Sequence, residues 1–154
     1  MKGNPDILSM LNELLAEELT AINQYSVHAE MCDQWGYGSL HEAIEKQARD
    51  EMRHAEMLIQ RILFLEGLPT VARLNPVNIG KTVDQMVASD EQAELEAVKS
   101  YNGAIRRAIE LEDHGTREML DRILKDEEAH VDWNEQQREL IGQMGLQNYL
   151  TTKV

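Results

Sequence analysis

The stretch that decides the fold is DEMRHAE, residues 50–56, together with its partner DEEAHVD, residues 126–132. Each places a glutamate three residues before a histidine: Glu51 with His54, and Glu127 with His130. Residues at i and i+3 share one face of a helix. Working outward, the neighbouring residues repeat every three or four positions with apolar side chains. On the helix holding DEMRHAE this seam is Leu40, Ile44, Gln47, Glu51, His54, Leu58, Ile62 and Leu65. On the helix holding DEEAHVD it is Met119, Ile123, Glu127, His130, Asn134, Gln137 and Ile141. Such stripes mark helices that bury one side.

Two more stripes follow the same rule. One is Leu11, Leu14, Glu18, Ile22 and Tyr25; the other is Val83, Met86, Asp90, Glu94, Ala97, Tyr101 and Ala104. Four long helices are expected, at about 5–35, 39–66, 83–111 and 114–143, with a short fifth at about 146–151. Asn4-Pro5 reads as an N-cap followed by proline at the first helical position. Ser39 with Glu42, and Thr82 with Gln85, fit the capping-box pattern. Gly36, Gly38, Gly115 and Gly145 punctuate the helix ends.

The connections set the topology. The first two helices and the last two are each joined by a short turn, so each pair is an antiparallel hairpin. Gly67–Lys81 is long and holds two of the three prolines. Fifteen extended residues reach roughly 50 Å, enough to span a 28-residue helix of roughly 42 Å. The expected fold is all-α: a ferritin-like four-helix bundle with one long crossover, formed by residues 1–154 as a single domain.

Every stripe is interrupted near its middle by acid or histidine. Four carboxylates in a bundle core would repel one another unless protons or cations lie between them. Two imidazoles beside them favour a transition metal over calcium or magnesium. Glu18 precedes Glu51 by 33 residues (51 − 18), and Glu94 precedes Glu127 by 33 (127 − 94). The two halves therefore repeat at an offset of 76 (94 − 18). Glu18, Glu51, His54, Glu94, Glu127 and His130 are the expected metal ligands, in the pattern known for carboxylate di-iron and di-manganese bundles. The competing reading is a buried polar network with no metal.

Bulk properties narrow the rest. The net charge of −13 repels phosphate backbones and attracts cations, so no nucleic-acid partner is expected. No run approaches the roughly 18 apolar residues of a membrane span. The start MKGNPD carries no apolar secretory segment, and the single cysteine, Cys32, excludes an internal disulfide. A cytoplasmic protein with no membrane partner is expected.

Over nearly its whole length the chain resembles the bacterioferritins. NELLAEELTAINQY (12–25), DEMRHAE (50–56), RILFLEGLP (61–69), DEEAHVDW (126–133) and GLQNYL (145–150) carry the resemblance. It implies iron storage and detoxification, with ferroxidase activity on Fe2+ using O2 or H2O2. The six residues above would ligate a di-iron centre, Glu51 and Glu127 bridging, inside a 24-subunit shell built from dimers. A ferredoxin would be the electron donor for iron release. Met52 would be an axial ligand of a b-type haem at a two-fold dimer interface. Tyr25 would take a supporting or electron-donating role. Asp50 could face a cavity, although Lys46 at i−4 makes a surface ion pair the simpler reading. His28, His41 and His114 are expected to be structural or solvated, Trp35 and Trp133 packing anchors, and Cys32 a small buried residue. The alternative is a non-storing, dimeric di-iron oxidase or peroxidase of the rubrerythrin type.

Overall fold

A computed structural model describes residues 1–154. It is all helical: α1 Pro5–Gln34, α2 Gly38–Phe64, α3 Val83–Glu110, α4 His114–Met144 and α5 Leu146–Thr151. These are the expected elements, shifted by one or two residues at some ends. No helix is long and apolar enough to cross a membrane.

The helix ends show which local signals acted. Asn4 caps α1, its Oδ1 accepting from Asp6 N at 2.8 Å, with Pro5 in the first turn. Neither expected capping box forms. Ser39 lies inside α2, and its N–H is donated instead to the Lys153 carbonyl at 3.0 Å, where the C-terminus folds back over the start of α2. Thr82 does begin α3, but without a side-chain cap; Gln85 Oε1 accepts from Lys81 N at 3.0 Å rather than from Thr82. The cap that does form without having been expected is Asp113, whose Oδ1 accepts from Thr116 N at 3.0 Å and also pairs with Arg61 Nη2 at 2.9 Å. Gly145 ends α4 at φ +78°, a conformation that suits glycine.

The crossover runs the length of the bundle against α1. Asn12 Oδ1 accepts from Thr70 N at 2.7 Å and Thr20 Oγ1 from Asn75 N at 2.9 Å. Gln24 Oε1 accepts from Asn78 N at 3.0 Å and His28 Nε2 from Gly80 N at 2.9 Å. Thr20, Gln24 and His28 lie four apart on one face of α1, and Asn12 lies about two turns before Thr20. The loop backbone therefore has no sheet or helix ladder but finds its partners on side chains. From Asn12 to His28 this ladder covers about 24 Å at 1.5 Å per residue. It delivers α3 to the end where α2 began, so α2 and α3 run parallel. Gly80 is required there: a Cβ would lie 2.5 Å from Met86 N.

Two apolar clusters fill the bundle. One holds Leu11, Leu15, Leu58, Ile62, Tyr101, Ala104, Leu120 and Ile123 among its members. The other holds Tyr25, Cys32, Leu40, Ile44, Met86, Val87 and Tyr149 among its members. Between them lies a band of buried polar side chains. Cys32 is buried in the second cluster, 3.9 Å from Met86 Sδ, and burial pushes its thiol up to about 11. Trp35 departs from the expected packing role; it is an exposed residue at the end of α1, edge-on to Tyr37 at 6.4 Å.

Candidate metal centre

The polar band contains all six side chains singled out by the stripes. Glu18, Glu51, His54, Glu94, Glu127 and His130 are each at most 5 % exposed. One ligand atom each from Glu18, Glu51, His54 and Glu127 fall within 4.8 Å of one another. The same holds for Glu51, Glu94, Glu127 and His130. Glu51 and Glu127 belong to both groups, so the geometry is that of two adjacent positions sharing two carboxylates.

Apart from His54 Nδ1, which bonds Glu51 Oε2 at 3.1 Å, the donor atoms that face the centre do not satisfy one another. Glu18 Oε2, Glu94 Oε2, Glu51 Oε1, Glu127 Oε1 and His130 Nδ1 are buried without a hydrogen-bond partner. His54 Nδ1 lies 2.7 Å from Glu127 Oε1, and His130 Nδ1 lies 3.0 Å from Glu51 Oε1, yet these contacts lack hydrogen-bond alignment for the atoms just named. Leaving a buried polar group unpaired costs about 1–3 kcal/mol, more for a charged one. Atoms that approach closely while aiming elsewhere fit a shared target between them. A set of carboxylate and imidazole donors suits iron, manganese or zinc.

Each imidazole is held from behind by a carboxylate of the opposite hairpin. His54 Nε2 meets Asp126 Oδ2 at 2.8 Å, and His130 Nε2 meets Asp50 Oδ2 at 3.0 Å. A carboxylate that accepts the Nε2–H leaves Nδ1 to face the centre. Arg53 ties the two aspartates together, with Nη1 3.2 Å from Asp50 and Nη2 2.7 Å from Asp126. Lys46 also pairs with Asp50, at 3.2 Å, so the expected surface ion pair exists beside the contact to His130.

The outer glutamates are held by phenols. Tyr25 donates to Glu94 Oε1 at 2.5 Å, and Tyr101 donates to Glu18 Oε1. In both glutamates Oε2 stays free.

The electrostatics follow from burial. Burial, then the neighbouring charge of Glu18, raises Glu51 and Glu127 well above the ordinary carboxylate range. Burial opposes ionisation of Glu94 too, but His130, Glu127 and Tyr25 outweigh it and hold Glu94 low. Burial alone would lower His54; the close carboxylates of Glu127 and Glu18 instead push it up to about 11. Burial likewise opposes the charge on His130, and Glu94 and Asp50 raise it. Protons thus compensate the carboxylates wherever cations do not.

A cavity of about 530 Å3 joins this centre to the surface between α1, α3 and the crossover. Its lining includes Glu17, Glu18, Glu51, Glu94, Glu96 and Glu127. Glu17 is held by Ser100 Oγ at 2.8 Å, and burial raises its carboxyl to about 7.

The remaining expected residues fall elsewhere. Met52 projects from the outside of α2 and is 51 % exposed. His28 is fully buried between Asp90, at 2.9 Å, and Gly80 N. His41 bonds the Ala29 carbonyl at 2.9 Å, and His114 is exposed. Asp126 and Tyr101 were not singled out as site residues from the sequence. The offset of 76 finds both, because 50 + 76 is 126 and 25 + 76 is 101.

Residues 8–144 match the ferritin-like domain family. The bacterioferritin of Mycolicibacterium paratuberculosis is 42 % identical over 97 % of this chain and 94 % of its own length. The bacterioferritin of Streptomyces coelicolor is 42 % identical over 100 % of this chain and 92 % of its own. The bacterial ferritin of Synechocystis sp. is 40 % identical over 100 % of this chain and 99 % of its own.

Proposed function

The chain belongs to the bacterioferritin family of ferritin-like proteins, and from that premise we propose that it oxidises Fe2+ to Fe3+ and stores the product as ferric mineral. The observation that carries the reading is the pair of overlapping four-donor groups sharing Glu51 and Glu127. Two Fe2+ ions are the substrate, and O2 or H2O2 is the oxidant.

The chain's own groups do the following. Glu51 and Glu127 each offer an oxygen to either position and so set the spacing between them. Glu18 and His54 close one end, Glu94 and His130 the other. Oxygen donors favour Fe3+ over Fe2+, so this set draws the substrate towards its product. Asp126 and Asp50 keep both imidazoles turned so that Nδ1 faces inward. Tyr101 and Tyr25 fix one oxygen of Glu18 and of Glu94 and leave the other to bind. The cavity lined by Glu17 admits cations, and its acidic lining concentrates them.

Storage needs a container, and the reading includes a cytoplasmic 24-subunit shell assembled from dimers of this one domain. Met52 is the side chain that would hold haem from one subunit, since its thioether lies free on the outer face of α2. Haem bound there would supply one-electron transfer for iron release, fed by a ferredoxin.

Stopped-flow Fe2+ oxidation tests the site. Glu51→Ala and Glu127→Ala are expected to lose the rapid phase while remaining helical. Unchanged kinetics in both would overturn the assignment. Size-exclusion chromatography tests the container: a shell elutes near 420 kDa (24 × 17.6 kDa) and the dimeric, non-storing alternative near 35 kDa (2 × 17.6 kDa).

A further inference from the structure

The internal repeat carries more than ligands. Adding 76 to Glu18, Asp50, Glu51, His54 and Tyr25 gives Glu94, Asp126, Glu127, His130 and Tyr101. Each pair is chemically matched, and the contacts cross between halves. Tyr25 of α1 bonds Glu94 of α3, and Tyr101 of α3 bonds Glu18 of α1. Both phenols are almost wholly buried, at 1 % and 0 % exposed. Each donates to one oxygen of a glutamate whose second oxygen is unpartnered and available at the centre. Each half of the site therefore has its own oxidisable side chain, one ligand away.

A tyrosine that served packing alone would need no hydroxyl. Tyr101 is seated in the apolar cluster with Leu11, Leu15, Leu58, Ala104 and Leu120, where a phenylalanine would fill the same space. Its hydroxyl is tolerated because Glu18 accepts from it. That contact also supplies what one-electron oxidation of a phenol requires, an acceptor in place for the proton that leaves with the electron.

We propose that Tyr101 is a second electron donor to the centre, matching the electron-donating role that the family resemblance implies for Tyr25, and that the two phenols let one pair of Fe2+ ions take one O2 to water. The proposal rests on the oxidation of Fe2+ by O2 set out above. The balance is complete. Each Fe2+ gives one electron, and each tyrosine gives one electron and its hydroxyl proton. O2 accepts these four electrons with four protons, two from the phenols and two from solvent. The O–O bond breaks, two waters leave, and two Fe3+ and two neutral tyrosyl radicals remain. The proton of Tyr101 passes first to Glu18 Oε1 and that of Tyr25 to Glu94 Oε1, the oxygens they already touch. With no phenol in place, two Fe2+ carry only the electrons for H2O2.

The test uses the assembled protein, with two Fe2+ added per subunit, mixed with O2 and freeze-quenched for electron paramagnetic resonance. Protein grown on ring-deuterated tyrosine identifies the radical by its narrowed hyperfine pattern. In each single variant a third Fe2+ per subunit is added as the source of the fourth electron, and Tyr25→Phe and Tyr101→Phe are each expected to keep one tyrosyl radical per subunit. Tyr25→Phe/Tyr101→Phe is expected to lose the signal entirely and to release H2O2. Loss of all tyrosyl signal in Tyr25→Phe alone would overturn the proposal, as would an unchanged spin count in Tyr101→Phe. Oxygen-free Co2+ titration, followed by its visible spectrum, confirms that each variant still has a formed site. A wild type that oxidises no Fe2+ would instead refute the ferroxidase reading, an outcome visible before any variant is compared.

Discussion

The carboxylate of Asp126, on α4, accepts from His54, on α2, at 2.8 Å across the bundle. Its counterpart joins Asp50 to His130 at 3.0 Å. Each hairpin thus orients a ligand of the other, and the centre is specified only when both hairpins are docked. Replacing Asp126 by Asn removes the acceptor charge while keeping the shape. Asp126→Asn is expected to weaken oxygen-free Fe2+ binding by about 10–100-fold, the usual cost of losing such a partner. Helicity by circular dichroism is expected to stay unchanged. Titration calorimetry under argon measures the affinity.

Protons are expected to leave as metal enters. His54 is raised to about 11, so near neutral pH it holds a proton between Glu127 and Glu18. Glu51 and Glu127 are raised as well, and their carboxyls also favour the protonated form. Metal needs these groups deprotonated. Affinity is therefore expected to rise with pH across the neutral range, because the competing protons become easier to displace. Calorimetry in buffers of different ionisation enthalpy is expected to show net proton release on Fe2+ binding. No dependence on buffer would contradict this.

Access to the centre is expected to follow Glu17. Its carboxyl is raised to about 7 by burial, so below that pH it is largely neutral and above it carries charge in the cavity wall. The initial rate of Fe2+ oxidation is expected to climb as pH passes through 7 from below. Glu17→Gln is expected to remove that part of the climb while leaving the oxygen-free metal stoichiometry intact. Parallel pH profiles for the two proteins would rule out the role.

Stability is expected to depend on the crossover. Gly80 packs so closely on the start of α3 that a Cβ would lie 2.5 Å from Met86 N and 2.8 Å from Gln85 C, both backbone atoms. Gly80→Ala must shift the loop and strain the His28 contact at 2.9 Å. A loss of about 1–3 kcal/mol, typical of overpacking, is expected in chemical denaturation.

Most of the fold was legible because helix periodicity is a strong signal over nearly thirty residues. Leu58, Ile62, Tyr101 and Ile123 lie buried on the stripes where they were placed. The six candidate ligands were legible for the converse reason, since charge set into an apolar stripe is costly. Local caps were less so. Ser39 carries a capping signature, but its N–H is taken by Lys153, more than a hundred residues along the chain. The residues behind the ligands were also missed. Asp126 and Tyr101 look locally like a surface acid and a core aromatic, and only the contact across the bundle gives them meaning. Asn12, Thr20, Gln24 and His28 form a polar stripe on α1 whose purpose is visible only once the crossover lies on it.

The central claim is that two adjacent metal positions share Glu51 and Glu127. The most direct test is anomalous diffraction at the iron edge from crystals of the protein soaked in Fe2+ without oxygen. Two peaks per subunit are predicted, one among Glu18, Glu51, His54 and Glu127 and the other among Glu51, Glu94, Glu127 and His130. A single peak, or none within the four-helix core, would contradict it.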